Sequence, residues 1–87
     1  MNVYPFYAIF DIKVERYMRP FMFRNDAEAK RAVIAQWADE MFKDDFILFR
    51  IAEFDETTGI IDPGNGPFRI GSVAELSRDQ NAIEGED

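Results

Sequence analysis

Apolar side chains occupy both faces of the first strand-like stretch of this chain. Between Asn2 and Ile12, Tyr4, Phe6, Ala8, Phe10 and Ile12 fall on one face, with Val3, Tyr7 and Ile9 on the other. A strand apolar on both sides is covered on both, or is covered on one by a partner molecule. Pro5 has no backbone donor, so pairing is expected to begin after it. Tyr17–Arg24 reads as a second extended segment. Pro20 excludes a helix and directs this strand to a sheet edge. Its alternation places Tyr17, Arg19, Phe21 and Phe23 on one face and Met18, Pro20, Met22 and Arg24 on the other.

The period then changes. Asn25 with Glu28 three residues on is a capping-box arrangement, and Asp26 suits the positive end of a helix. Ala29, Val33, Trp37 and Met41 recur every four residues, and Ile34 and Ala38 widen the stripe into a core-facing surface. Lys30 falls beside that stripe, while Asp39, Glu40, Asp44 and Asp45 mark the exposed side and the exit. Phe46–Phe54 is the strongest strand, with Ile47, Phe49 and Ile51 facing one way and Phe46, Leu48, Ala52 and Phe54 the other.

Asp55–Gly59 reads as a hairpin loop whose glycine takes the left-handed position. Ile60 and Ile61 begin the returning strand, Asp62–Pro67 is turn chemistry, and Phe68 and Ile70 resume pairing. Ser72 and Glu75 cap one short helical turn. The acidic stretch 79–87 reads as a tail without fixed structure in isolation. The expected fold class is α+β: a small antiparallel or mixed sheet of about four strands in β-β-α-β-β order, with one main helix on one face. Residues 1–78 form the single domain.

One helix cannot cover both faces of such a sheet. The chain has nine Phe, three Tyr and one Trp to shelter. A homodimer is therefore expected, because small domains this apolar complete their cores by association.

Charge divides the chain. Lys13–Arg31 carries six basic residues against three acidic ones, net +3, whereas Asp44–Asp87 carries eleven acidic residues against three basic ones, net -8. The whole is -7, which repels a polyanion unless positive charge is gathered on one surface. No run approaches the roughly 20 apolar residues of a membrane span, and the N-terminus lacks a signal-peptide pattern. The pattern is that of a soluble intracellular domain with no membrane association.

The catalytic repertoire is poor. With no Cys and no His, thiol chemistry, zinc-thiolate sites and the commonest general base are excluded. Asp44-Asp45 and Asp55-Glu56 are adjacent carboxylates, but the Asp55 loop lacks the alternating ligands of a calcium loop. Gly64-Asn65-Gly66-Pro67 is not followed by the Lys-Ser/Thr of a phosphate loop. Neither an enzyme nor a cofactor is expected.

The stretch Arg16–Arg31 is where cations and aromatics interleave. Single-stranded nucleic acid is held by base stacking together with cations that track the backbone. Tyr17, Phe21 and Phe23, with Arg16, Arg19, Arg24, Lys30 and Arg31 around them, are the candidate binding residues.

Several motifs resemble those of the small non-structural protein of gokushovirus-type microviruses, a phage protein from the fifth open reading frame described as DNA-binding. They are Ile9-Phe10-Asp11, Tyr17-Met18-Arg19-Pro20-Phe21, Ala27-Glu28-Ala29-Lys30-Arg31 and, most specifically, Asp45–Gly59 with its Glu53-Phe54-Asp55 and Thr58-Gly59. The resemblance spans about residues 6–71. It implies a role in the bacterial host's cytoplasm, in the switch from duplex replication to single-strand synthesis and packaging, outside the virion. Single-stranded DNA or a phage or host replication protein is the implied partner. The alternative is a dimeric acidic adapter, or a DNA mimic, that docks on a replication protein without touching DNA.

Overall fold

A computed structural model describes residues 2–37 and 41–85, with side chains through Asp79. Six antiparallel strands form one curled sheet flanked by two helices: β1 (Val3–Asp11), β2 (Arg16–Tyr17), β3 (Phe21–Met22), α1 (Asp26–Gln36), β4 (Phe46–Asp55), β5 (Ile61–Asp62), β6 (Phe68–Ser72) and α2 (Val73–Gly85). The long strands β1 and β4 are central. β2 and β3 follow one another along the outer edge of β1, and β5 and β6 along that of β4.

The expected α+β class stands, with three differences. The second and fourth expected strands are each interrupted, by Met18-Arg19-Pro20 and by the Pro63–Pro67 turn. Pairing of β1 with β4 begins before Pro5, at Val3 opposite Asp55. β3 ends at Met22 opposite Phe6, so the missing N–H of Pro5 removes no bond on that side. A second helix replaces the single turn expected at Ser72. Its backbone continues to Gly85, where the sequence suggested an unstructured tail; Glu86 and Asp87 lie outside the described residues.

Two β-bulges redirect the sheet. Tyr7 pairs with Arg50 but Phe6 pairs with Ala52, so Ile51 is an extra residue in β4. Between β4 and β6 the extra residue is Ile70. Bulges bend a strand and increase its twist, and the one at Ile51 reverses the side-chain alternation after it. Phe46 and Leu48 face the helices, whereas Ala52 and Phe54 do not share their face as the simple alternation predicted.

The helix-side core is Tyr7, Ile9, Ala29, Val33, Leu48, Val73 and Leu76, with Phe21, Phe23, Ile34, Trp37, Phe46 and Ile70 around it. The opposite face is bare of helices, and the side chains that its two central strands present cover one another: Ala8 and Ala52 are buried and the rest half-buried. There β1 presents Tyr4, Phe6, Ala8 and Phe10 in register with Phe54, Ala52, Phe49 and Ile47 of β4. Tyr17 beside Phe10, Met22 beside Phe6 and Ile61 beside Phe54 extend it.

Local chemistry sets the helix ends. The Glu28 N–H donates to Asn25 Oδ1 at 2.9 Å, capping α1. The helix stops at Gln36, where Trp37 leaves helical geometry and sets its ring 4.4 Å from that of Phe46. The expected continuation through Met41 fails: Met41 is 82% exposed. Ala38, Asp39 and Glu40 lie outside the described residues. The Asp55–Gly59 hairpin is as expected, with Gly59 at φ 76°.

At α2, Ser72 and Glu75 form a reciprocal capping box: each backbone N–H donates to the other's side-chain oxygen, at 2.8 and 3.1 Å. Arg69 Nη2 donates to the same Glu75 carboxylate at 2.6 Å. The Ser72 N–H, then Arg69 and the Ser72 hydroxyl lower the Glu75 carboxyl from 4.5 to about 2. A carboxylate lowered by folding stabilises the fold above its ordinary value, and that contribution is lost as pH falls toward the folded value. A pH titration of thermal stability is therefore expected to show a loss below 4.5 that is smaller in Glu75→Gln. An unchanged acid slope in that variant would remove Glu75 as its source.

Candidate nucleic-acid interface

The chain turns sharply out of β1. Lys13 N–H donates to Asp11 Oδ1 at 3.0 Å, and Glu15 adopts a left-handed φ of 56°, so β2 returns beside β1 with Arg16 opposite Asp11 and Tyr17 opposite Phe10. Met18-Arg19-Pro20 then leaves the ladder, and β3 rejoins it with Phe21 opposite Tyr7. Facing residues in an antiparallel pair project to the same side. Tyr17 therefore lies on the bare face, whereas Phe21 lies on the helix face.

The aromatics expected to share one surface are thus divided by the sheet. The Tyr17 ring sits 4.8 Å from Phe10 and 5.5 Å from Phe49. Phe21 and Phe23 are half-buried around Tyr7, at ring separations of 6.1 and 6.5 Å. Tyr7 is fully buried, and its hydroxyl donates to Asp26 Oδ1 at 2.6 Å. Burial first, and then this bond to a carboxylate, raise the tyrosine well above its ordinary ionisation range. Arg50 Nη1 lies 3.7 Å from Asp26 Oδ2, linking the start of α1 to β4.

The excursion at Met18-Arg19-Pro20 creates a groove against α1. It encloses about 360 Å³ between Met18, Arg19, Pro20, Phe21 and Phe23 on one wall and Ala32, Val33, Gln36 and Trp37 on the other, with Ile9 at its floor. Among the described residues Arg19 is its only charged lining residue, and no carboxylate lines it. The structure thus brings Arg19, Phe21 and Phe23 together. Lys30 and Arg31 are exposed on α1, immediately before Ala32, and make no ion pair among the described residues. Arg24 is occupied: its Nε is 3.8 Å from Glu28 Oε2 and its N–H donates to Glu28 Oε1 at 3.2 Å. Arg16, exposed at the end of β2, does not line the groove.

Met18, Pro20, Gln36 and Trp37 are lining residues that the alternation pattern did not single out. Trp37 was legible as a member of the helical apolar stripe, but its place at the end of α1 turns one side of it toward the groove. Among the described residues no cluster of acidic side chains is arranged to hold a metal ion, and no helix is long and apolar enough to cross a membrane.

The comparisons with known proteins give one match. A family model described as Phage ORF5 protein covers residues 4–76, which includes the sheet, α1 and both walls of the groove. No curated protein and no solved structure matches the chain.

Proposed function

The chain belongs to the Phage ORF5 protein family, and from that premise we propose that it is a non-catalytic phage protein whose β2–β3/α1 groove takes single-stranded DNA. In this reading the protein acts in the microvirus replication cycle, in the host cytoplasm and outside the virion, biasing synthesis toward single-stranded genomes for packaging. Bases stack on the Phe21 and Phe23 wall and on Trp37 opposite it, and phosphates meet Arg19, with Lys30 and Arg31 exposed on α1, the helix of the Trp37 wall. The observation that carries the proposal is the lining itself, an apolar and aromatic groove whose single charge among the described residues is a cation. That is the pairing of stacking surface and backbone cation that single strands require. Among the described residues no acid lines the groove, so even in a chain of net charge -7 a local cation site grips a polyanion over a few nucleotides.

Trp37 is the only tryptophan, so its fluorescence reports on the groove directly. Titration with a single-stranded oligonucleotide is expected to quench it, with anisotropy of a labelled strand rising in parallel and a duplex binding less. Arg19→Ala is expected to weaken binding and to flatten the plot of log affinity against log salt by about 0.7, the value for one lost contact to a single strand. Unchanged affinity and slope in Arg19→Ala would remove the groove from consideration.

A second reading rests on the far edge of the sheet. Glu53 is registered directly opposite Asp62, a like-charge pair that costs stability and that a basic partner would relieve. Asp55 and Glu56 follow at the same hairpin. An adapter docking there on a replication protein predicts no DNA affinity at low salt, and loss of partner binding when Asp55 and Glu56 are neutralised.

A further inference from the structure

The bare face of the sheet plays no part in the groove. Its two central strands contribute eight residues, all uncharged, in direct register across β1 and β4. The rings of Phe10, Tyr17 and Phe49 form one cluster on it, and Phe6 and Phe54 form a second, 6.4 Å apart. At its margin Tyr17, Met22 and Ile61 are 46%, 45% and 55% exposed. The molecule is only 20 Å thick in its shortest dimension, the depth of one sheet plus one helix layer. Both helices that contribute to the core lie on the other side.

We infer that this face is the interface of a two-fold symmetric homodimer, sheet against sheet. Three observations select a second copy. First, nucleic acid needs cations, and the one charged residue in register with the face, Arg69 opposite Phe49, is held at 2.6 Å by Glu75. Second, a two-fold axis sets a surface against itself. An uncharged aromatic face does so without opposing like charges, even in a chain of net charge -7. Third, the chain's accessible surface, 6163 Å² for 10.1 kDa, exceeds the roughly 5,300 Å² of a compact monomer of that mass, as expected of a small domain that completes its core by association.

In the dimer, Tyr17 is an interface residue and does not contact bases. The two helix-side grooves then face outward, one on each side of the assembly, and remain open. The inference is independent of what those grooves bind.

Light scattering coupled to gel filtration, run at several concentrations, tests it. The expected mass is twice the 10.1 kDa chain. Tyr17→Arg and Met22→Lys place charge at exposed, edge-strand positions that the fold tolerates. Each is expected to weaken dimerisation about tenfold or more, because it sets an unpaired charge against an apolar face, with the far-ultraviolet circular dichroism unchanged. Ile60→Lys, in the hairpin loop, is expected to leave the mass unchanged. A wild-type monomer at every concentration would overturn the inference. A dimer that both edge variants leave intact would equally overturn it, by assigning the contact to another surface. A monomer whose tyrosine fluorescence changes on adding single-stranded DNA would also overturn it, by giving the face to nucleic acid.

Discussion

Tyr7→Ala is expected to destabilise the protein by about 4 kcal/mol, the usual cost of removing a buried aromatic ring. Tyr7 is the largest fully buried side chain, and it sits where three elements meet. Its ring packs on Phe21 and Phe23, and its hydroxyl reaches Asp26 at the first turn of α1. A domain of this length has a total stability of about 4–13 kcal/mol, so the variant loses a third of it or more. Tyr7→Phe separates the contributions. It keeps the ring and deletes one hydrogen bond to a carboxylate that retains Arg50 at 3.7 Å and is partly open to water, so the expected loss is about 1 kcal/mol. Urea denaturation at a fixed protein concentration gives both values. The fixed concentration matters because a dimer's apparent stability depends on it. Equal losses in the two variants would mean that the hydroxyl, and not the ring, holds the junction.

Leu48→Ala is expected to cost about 3 kcal/mol, within the range for deleting a buried leucine side chain. Leu48 is fully buried, in β4 directly opposite Ile9, and belongs to the cluster that joins Val33 of α1 to Val73 and Leu76 of α2. A cavity there is bounded by both helices and the sheet. Neither layer can collapse into it without losing register elsewhere, so the loss is not recovered by repacking. The same denaturation series measures it. A loss below about 1 kcal/mol would show that α2 moves in to fill the space, and that the second helix is less firmly seated than its contacts indicate.

The two effects also distinguish the faces of the sheet. Tyr7 and Leu48 are sealed by helices within one chain. Phe10, Phe49 and Tyr17 are sealed by one another and, in the inferred dimer, by the second copy. Substitutions at Tyr7 and Leu48 therefore lower stability directly. A charge at Tyr17 acts through assembly, and its effect depends on protein concentration.

Much of the fold was legible locally. The Asn25 cap, the Gly59 turn and the pairing of Ser72 with Glu75 each rest on a few neighbouring residues whose side chains satisfy backbone donors or permit a left-handed φ. Such chemistry does not depend on what the rest of the chain does. The long apolar strands β1 and β4 were equally plain, because alternation over nine or ten residues has few other readings. The segment proposed as the site stood out because cations and aromatics interleave there.

What the alternation of residues did not reveal was which side each of them faces. The bulge at Ile51 inserts one residue into β4 and turns Ala52 and Phe54 away from the helices. No residue type announces it, because the insertion is defined only by the partner strand. The excursion at Met18-Arg19-Pro20 does the same to the candidate site, sending Tyr17 to one face and Phe21 and Phe23 to the other.

The amino-acid sequence by itself therefore determined the two long strands, the helix caps and the charge asymmetry of this protein, because each follows from short-range backbone and side-chain chemistry. Only the tertiary structure decided the groove between β2–β3 and α1, the docking of α2 over Leu48 and the uncovered aromatic face. Each of these depends on register and packing between segments that are distant along the chain, and a single inserted residue is enough to exchange one face for the other.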